Sequence, residues 1–74
     1  MNDNPPPSPE LISALRDQAF EEIGRVSDLA ASYSRSLGEA AYRGDQTTVE
    51  AHLKQLRSCC LNMIKAYNEF LKDG

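Results

Sequence analysis

Tryptophan is absent from the 74 residues, histidine occurs once and cysteine twice. No apolar run approaches the roughly 18 residues that would span a bilayer, and no positively charged, apolar leader opens the chain. The expected setting is therefore cytoplasmic. Cys59 and Cys60 are neighbours, and adjacent helical residues point about 100° apart. A bridge between them would be strained, so both are read as reduced thiols. Close Cys or His pairs of the kind that build structural zinc sites are missing. The chain is expected to fold without metal or oxidation, and no cofactor is expected.

His52 is the sole side chain whose unperturbed titration falls near neutrality. No nucleophile motif or glycine-rich phosphate loop accompanies it. Glu21 and Glu22 are adjacent and diverge on a helix, while Glu21 and Arg25 have the spacing of an ordinary i,i+4 ion pair. These absences leave no catalytic constellation, and the chain is not expected to be an enzyme. The formal charge of −3 gives no dense basic patch for phosphate binding.

Apolar residues make up 41% of the chain, eight of them Ala. Such a small set usually builds only a marginal core for a monomer. Proline is confined to positions 5, 6, 7 and 9. Residues 1–8 are read as a disordered Pro-rich tail, and residues 9–74 as a single helical domain. Ser8-Pro9-Glu10 carries a hydroxyl cap, a proline where its missing N–H costs nothing, and a carboxylate at the positive helix end. This pattern predicts that helix 1 starts at Pro9 and runs to about Arg43.

Along helix 1, Ile12, Leu15, Ala19, Ile23, Val26, Ala30, Tyr33, Leu37 and Ala40 recur every three or four residues. An extra four-residue step near Ala19–Ile23, with Gly24 beside it, marks residues 23–28 as the one plausible kink or break. Arg43-Gly44-Asp45 spells a tripeptide known from cell adhesion, but turn chemistry accounts for all three residues. Gly44 suits the left-handed position after a helix, Asp45 or Thr47 can cap the next, and Thr47 to Glu50 has capping-box spacing. A short turn over 44–46 makes the two helices antiparallel neighbours.

Helix 2, from about 46 to 72, carries Val49, Leu53, Leu56, Cys60, Met63, Tyr67 and Phe70 at alternating steps of four and three. That 3.5-residue repeat predicts a packed seam, with Cys59 at its edge. Ile64 and Leu71 widen the apolar face beyond what one helix covers, and Leu61 lies further out. Leu61, Ile64 and Leu71 are the candidate partner surface. At about 1.5 Å per residue, helix 2 reaches back along helix 1 only to about residue 18, which leaves Leu11, Ile12 and Leu15 uncovered.

The expected fold is all-α: a helical hairpin dimerising into a four-helix bundle, with a three-helix monomer broken at 23–28 as the alternative. The expected function is that of a small regulatory or adaptor protein acting through helix-mediated contact with another protein. In architecture alone the plan resembles the Rop family of plasmid copy-number proteins, a resemblance that implies an RNA-binding hairpin dimer. On that alternative Lys54, Lys65 and Lys72 would line the RNA-facing stripe of helix 2.

Overall fold

A computed structural model describes residues 8–72, so residues 1–7 of the expected Pro-rich tail lie outside the described residues. Two helices make up the fold, α1 (Pro9–Arg43) and α2 (Gln46–Phe70). They pack against each other as an antiparallel hairpin. Local signals fix each end. Ser8 is extended, and its hydroxyl accepts the Leu11 N–H at 3.1 Å, with Pro9 and Glu10 in the first turn. Three otherwise unpaired N–H groups open a helix beyond the proline, and the serine satisfies one of them.

The turn is equally explicit. Gly44 adopts φ 70°, ψ 25°, a left-handed conformation that side chains with a Cβ enter only at a cost. Its N–H donates to the Ala41 carbonyl at 3.1 Å, and the Asp45 N–H donates to the Ala40 carbonyl at 2.9 Å. These two bonds close α1 as a Schellman motif. Asp45, not Thr47, caps α2: its carboxylate accepts the Thr48 N–H at 3.2 Å and the Thr48 hydroxyl at 2.6 Å. Asp45 is thereby engaged in the cap. At the far end the Leu71 and Lys72 N–H groups share the Tyr67 carbonyl, each at 2.9 Å, and α2 closes at Phe70, two residues before the expected end.

α1 continues through Gly24, as the expected helix from Pro9 to about Arg43 requires, and the three-helix alternative with its break at 23–28 is set aside. A glycine in a helix interior costs about 1 kcal/mol against alanine. With the 3.6-residue pattern resuming on both sides, that penalty is too small to end a 35-residue helix. The expected Glu21–Arg25 pair is also replaced. Arg25 instead meets Glu22 through two hydrogen bonds, of 2.6 and 3.3 Å, at i,i+3 spacing. Such exposed pairs contribute little to stability.

The residues buried in the hairpin are Ala19, Val26 and Ala40 on α1, Cys59 and Ala66 on α2, and Leu71 just past its end. Apart from Leu71 they are small. The helices therefore approach closely along a narrow line, and the larger side chains flank it. The molecule measures 59 × 24 × 14 Å. Its smallest dimension is little more than one helix diameter of about 10–12 Å. The fold is a single layer, whereas stable domains commonly pack two layers around a core.

Two glycine substitutions should have opposite effects. Nothing lies within 4 Å of a Cβ built on Gly24, so Gly24→Ala should stabilise by about 1 kcal/mol. Gly44→Ala should destabilise by roughly 1–2 kcal/mol because the left-handed conformation must be kept. Thermal melts followed by circular dichroism should show the midpoint rising for the first and falling for the second. A rise for both would contradict the left-handed turn.

The Asp45 carboxyl is held below the ordinary carboxylate range, first by the Thr48 hydroxyl and then by the Thr48 N–H. A group whose folded value is depressed adds stability that is present above its unfolded value and is lost as pH falls through the folded one. The thermal midpoint of the wild type should therefore exceed that of Asp45→Asn by a constant margin near neutrality. That margin should shrink as pH drops below about 4. A margin unchanged on the acid side would show that the cap does not depend on the ionised carboxylate.

Candidate interaction surface

Packing along small residues decides which side chains are left over. On α2 the positions turned toward α1 are Val49, His52, Leu56, Cys59, Met63 and Ala66, all buried or half-buried. Val49, Leu56 and Met63 thus keep the place expected of them. Leu53 and Tyr67 are half-exposed, Cys60 is exposed, and Phe70 is 38% exposed. Within the hairpin the alternate seam positions are therefore taken by His52, Cys59 and Ala66, one residue earlier each time. Cys59 and Cys60 exchange their expected places, the first buried and the second exposed. Of the candidate partner surface, Leu61 and Ile64 are exposed, whereas Leu71 is buried and leaves that set.

Close approach explains the shift. Ala66 and Cys59 let the backbones come together where Tyr67 and Leu53 would hold them apart, and the two choices differ by about 100° of rotation. His52 lies where α2 meets α1. Its ring stands 5.7 Å from that of Tyr33, centroid to centroid, tilted by 48°, a spacing at which aromatic rings interact favourably. The signal missed in the sequence was the lane of small residues beside the larger ones.

The hairpin has two broad faces of different character. Both helices are right-handed and run in opposite directions, so residues displaced from the contact line in the same rotational sense emerge on the same face. One face is defined by an open groove of about 470 Å³ lined by Gln18, Glu21, Glu22 and Arg25 of α1 with Ala66 and Phe70 of α2. Asn62, Lys65 and Glu69 continue it along α2. Charged and amide groups dominate there, with Leu11 and Leu29 in the same lane of α1.

The opposite face is the more apolar of the two, although Arg16, Glu50 and Arg57 also stand on it by the same rule. Phe20 is 59% exposed, Leu53 51%, Ile64 54% and Tyr67 50%. Cys60 lies between them on α2, and half-buried Ile23 lies beside Phe20. On α1 the lane that begins at Phe20 continues through Ser27, Ala31, Ser34 and Gly38 at helical spacing, so bulky groups at one end pass into a smooth, small-residue track. Beyond the end of α2, Leu11 and Ile12 remain exposed.

Lys54, Lys65 and Lys72 are exposed on the outer side of α2. Glu69 stands 4.0 Å from Lys65, which dilutes that stripe's positive charge. Among the described residues no three His, Cys, Asp or Glu side chains come together as a metal-binding group, and no helix is long and apolar enough to cross a membrane. Compared with known proteins, the chain matches no protein-family model, no curated protein and no solved structure.

Leu56 and Leu61 separate the contact line from the outer surface. Leu56 is half-buried against α1 and Leu61 is 55% exposed. Leu56→Ala should cost about 2 kcal/mol, the lower end for such truncations because burial is partial. Leu61→Ala should stay within about 0.5 kcal/mol of the wild type. Urea melts of the two variants measure the difference, and equal midpoints would refute the assignment of the contact line.

Proposed function

We propose that this chain is a small, non-enzymatic regulatory or adaptor protein that works by presenting helix surfaces to other proteins, and that it does so as a homodimer forming a four-helix bundle. The observation that carries the reading is the concentration of Phe20, Leu53, Cys60, Ile64 and Tyr67 on one broad face, while charged and amide groups dominate the other. Contiguous exposed apolar surface of this kind marks association sites. The area also supports it. The chain exposes 5921 Å², on the order of 1,000 Å² more than a compact monomer of its mass. A specific interface takes about 800 Å² from each partner, and homodimer interfaces take more.

Two hairpins meeting through this face supply the second layer that each lacks and close with two-fold symmetry. The polar face and the outer flank of α2, with Leu61, then remain available to a protein partner. Glu69 beside Lys65 weighs against the RNA-binding reading, because phosphate affinity grows with the number of uncompensated cations.

Sedimentation at micromolar concentration should give twice 8.2 kDa. Ile64→Lys should return the chain to 8.2 kDa, because a lysine head cannot be buried unpaired in an apolar interface. A fully helical wild-type monomer that melts cooperatively would refute the homodimer. Salt-insensitive absence of binding to structured RNA at low ionic strength is expected, and salt-sensitive binding would favour the RNA reading.

A further inference from the structure

The apolar face also contains information about how two copies would be arranged. On α2 the exposed stripe runs from Leu53 to Tyr67, with Cys60 at its midpoint. On α1 the lane runs from bulky Phe20 to Gly38, where nothing lies within 4 Å of a built Cβ, and its midpoint is level with Leu29, whose own side chain belongs to the other face. These midpoints are independent of each other. Leu29 lies 15 residues before Gly44 and Cys60 lies 16 after it, and equal rise per residue puts them at nearly the same height. The joint lining of one groove by Ala19 and Phe70 supports this correspondence.

We infer that the dimer is formed by two hairpins with their turns at opposite ends, α1 against α1 and α2 against α2, related by a two-fold axis that runs across the face at the height of Cys60, midway between Phe20 and Gly38. This inference rests on the homodimer reading and adds its geometry. One axis serves both lanes: Leu53 packs on the second copy's Tyr67, Phe20 on its Gly38, and Cys60 on its Cys60. Residue sizes are complementary, since the phenyl ring falls where the opposing helix has no side chain.

The ends of the molecule favour this orientation over turns at the same end. With turns together, both copies would leave Leu11 and Ile12 beyond the end of both α2 helices. With turns opposed, each overhang runs toward the second copy's turn. Tyr42, 96% exposed, lies within about one helical turn of Ile12 on the register set by Cys60. The arrangement thus brings the second copy's turn up to the start of the overhang, level with about residue 14, where turns at the same end would leave nothing.

The test is disulfide trapping alongside sedimentation of the same samples. A copper–phenanthroline oxidant removes two electrons from two thiols, which lose their protons as one S–S bond forms. Under mild oxidation the wild type and Cys59→Ser should convert almost completely to covalent dimer, and Cys60→Ser should not. On a Cys59→Ser, Cys60→Ser background, the added pair Phe20→Cys and Gly38→Cys should also cross-link. Those two positions lie roughly 27 Å apart along one helix, so the bond can form only between copies.

A protein that sediments as a dimer but gives neither cross-link overturns the register and leaves the homodimer standing. A monomer at micromolar concentration overturns both.

Discussion

The constraint on which the rest of the structure depends is that a pair of helices has a single line of contact. Each helix covers one stripe of its neighbour and no more, so a chain that spends its length on two helices has nothing left to cover their faces. Here the line is narrow because, apart from Leu71 past the end of α2, its buried residues are Ala19, Val26, Ala40, Cys59 and Ala66. Small residues bring the backbones close, which improves dispersion contact along the seam. They also leave Leu53, Ile64, Tyr67 and Phe20 on the flanks, while Leu56 and Met63 are only half-buried. The exposed apolar face is therefore a direct result of how the hairpin closes.

Signals that act over a few residues were legible in the sequence. Ser8 before Pro9 fixed one helix start, and Gly44 with Asp45 fixed the turn, because caps and left-handed positions depend on the chemistry of one or two residues and their immediate backbone. Thr47 competed with Asp45 as a cap, and Asp45 prevailed through a carboxylate that accepts both the N–H and the hydroxyl of Thr48. The stripe on α1 was legible too: from Leu15 onward the three-and-four spacing names residues that α2 buries or half-buries.

The choice of stripe on α2 was not legible, and the reason is physical. Periodicity reports that an apolar face exists, but α2 has two overlapping ones. Val49, Leu56 and Met63 belong to both. Leu53, Cys60 and Tyr67 complete one, and His52, Cys59 and Ala66 complete the other. Hydrophobicity alone favours the first, while closeness of approach favours the second. Continuity at Gly24 was undecidable for a similar reason: whether a lone glycine breaks a helix depends on the support its neighbours receive from the opposing helix, which is a tertiary property.

The two stripes on α2 give folding and association separate footing on one helix. The small-residue stripe closes the hairpin, and the large-residue stripe is what the proposed dimer would bury. Closing the hairpin buries few large side chains completely, whereas each fully buried Leu, Ile or aromatic side chain adds roughly 1.5–3 kcal/mol. Phe20, Leu53, Ile64 and Tyr67 therefore hold hydrophobic stabilisation that the hairpin by itself leaves unused. If a second copy covers that face, protomer folding and dimer formation become one equilibrium, and stability rises with protein concentration. A partner that competed for the face would then act on the fold of each protomer as well as on its assembly, which is how so small a chain could couple binding to regulation.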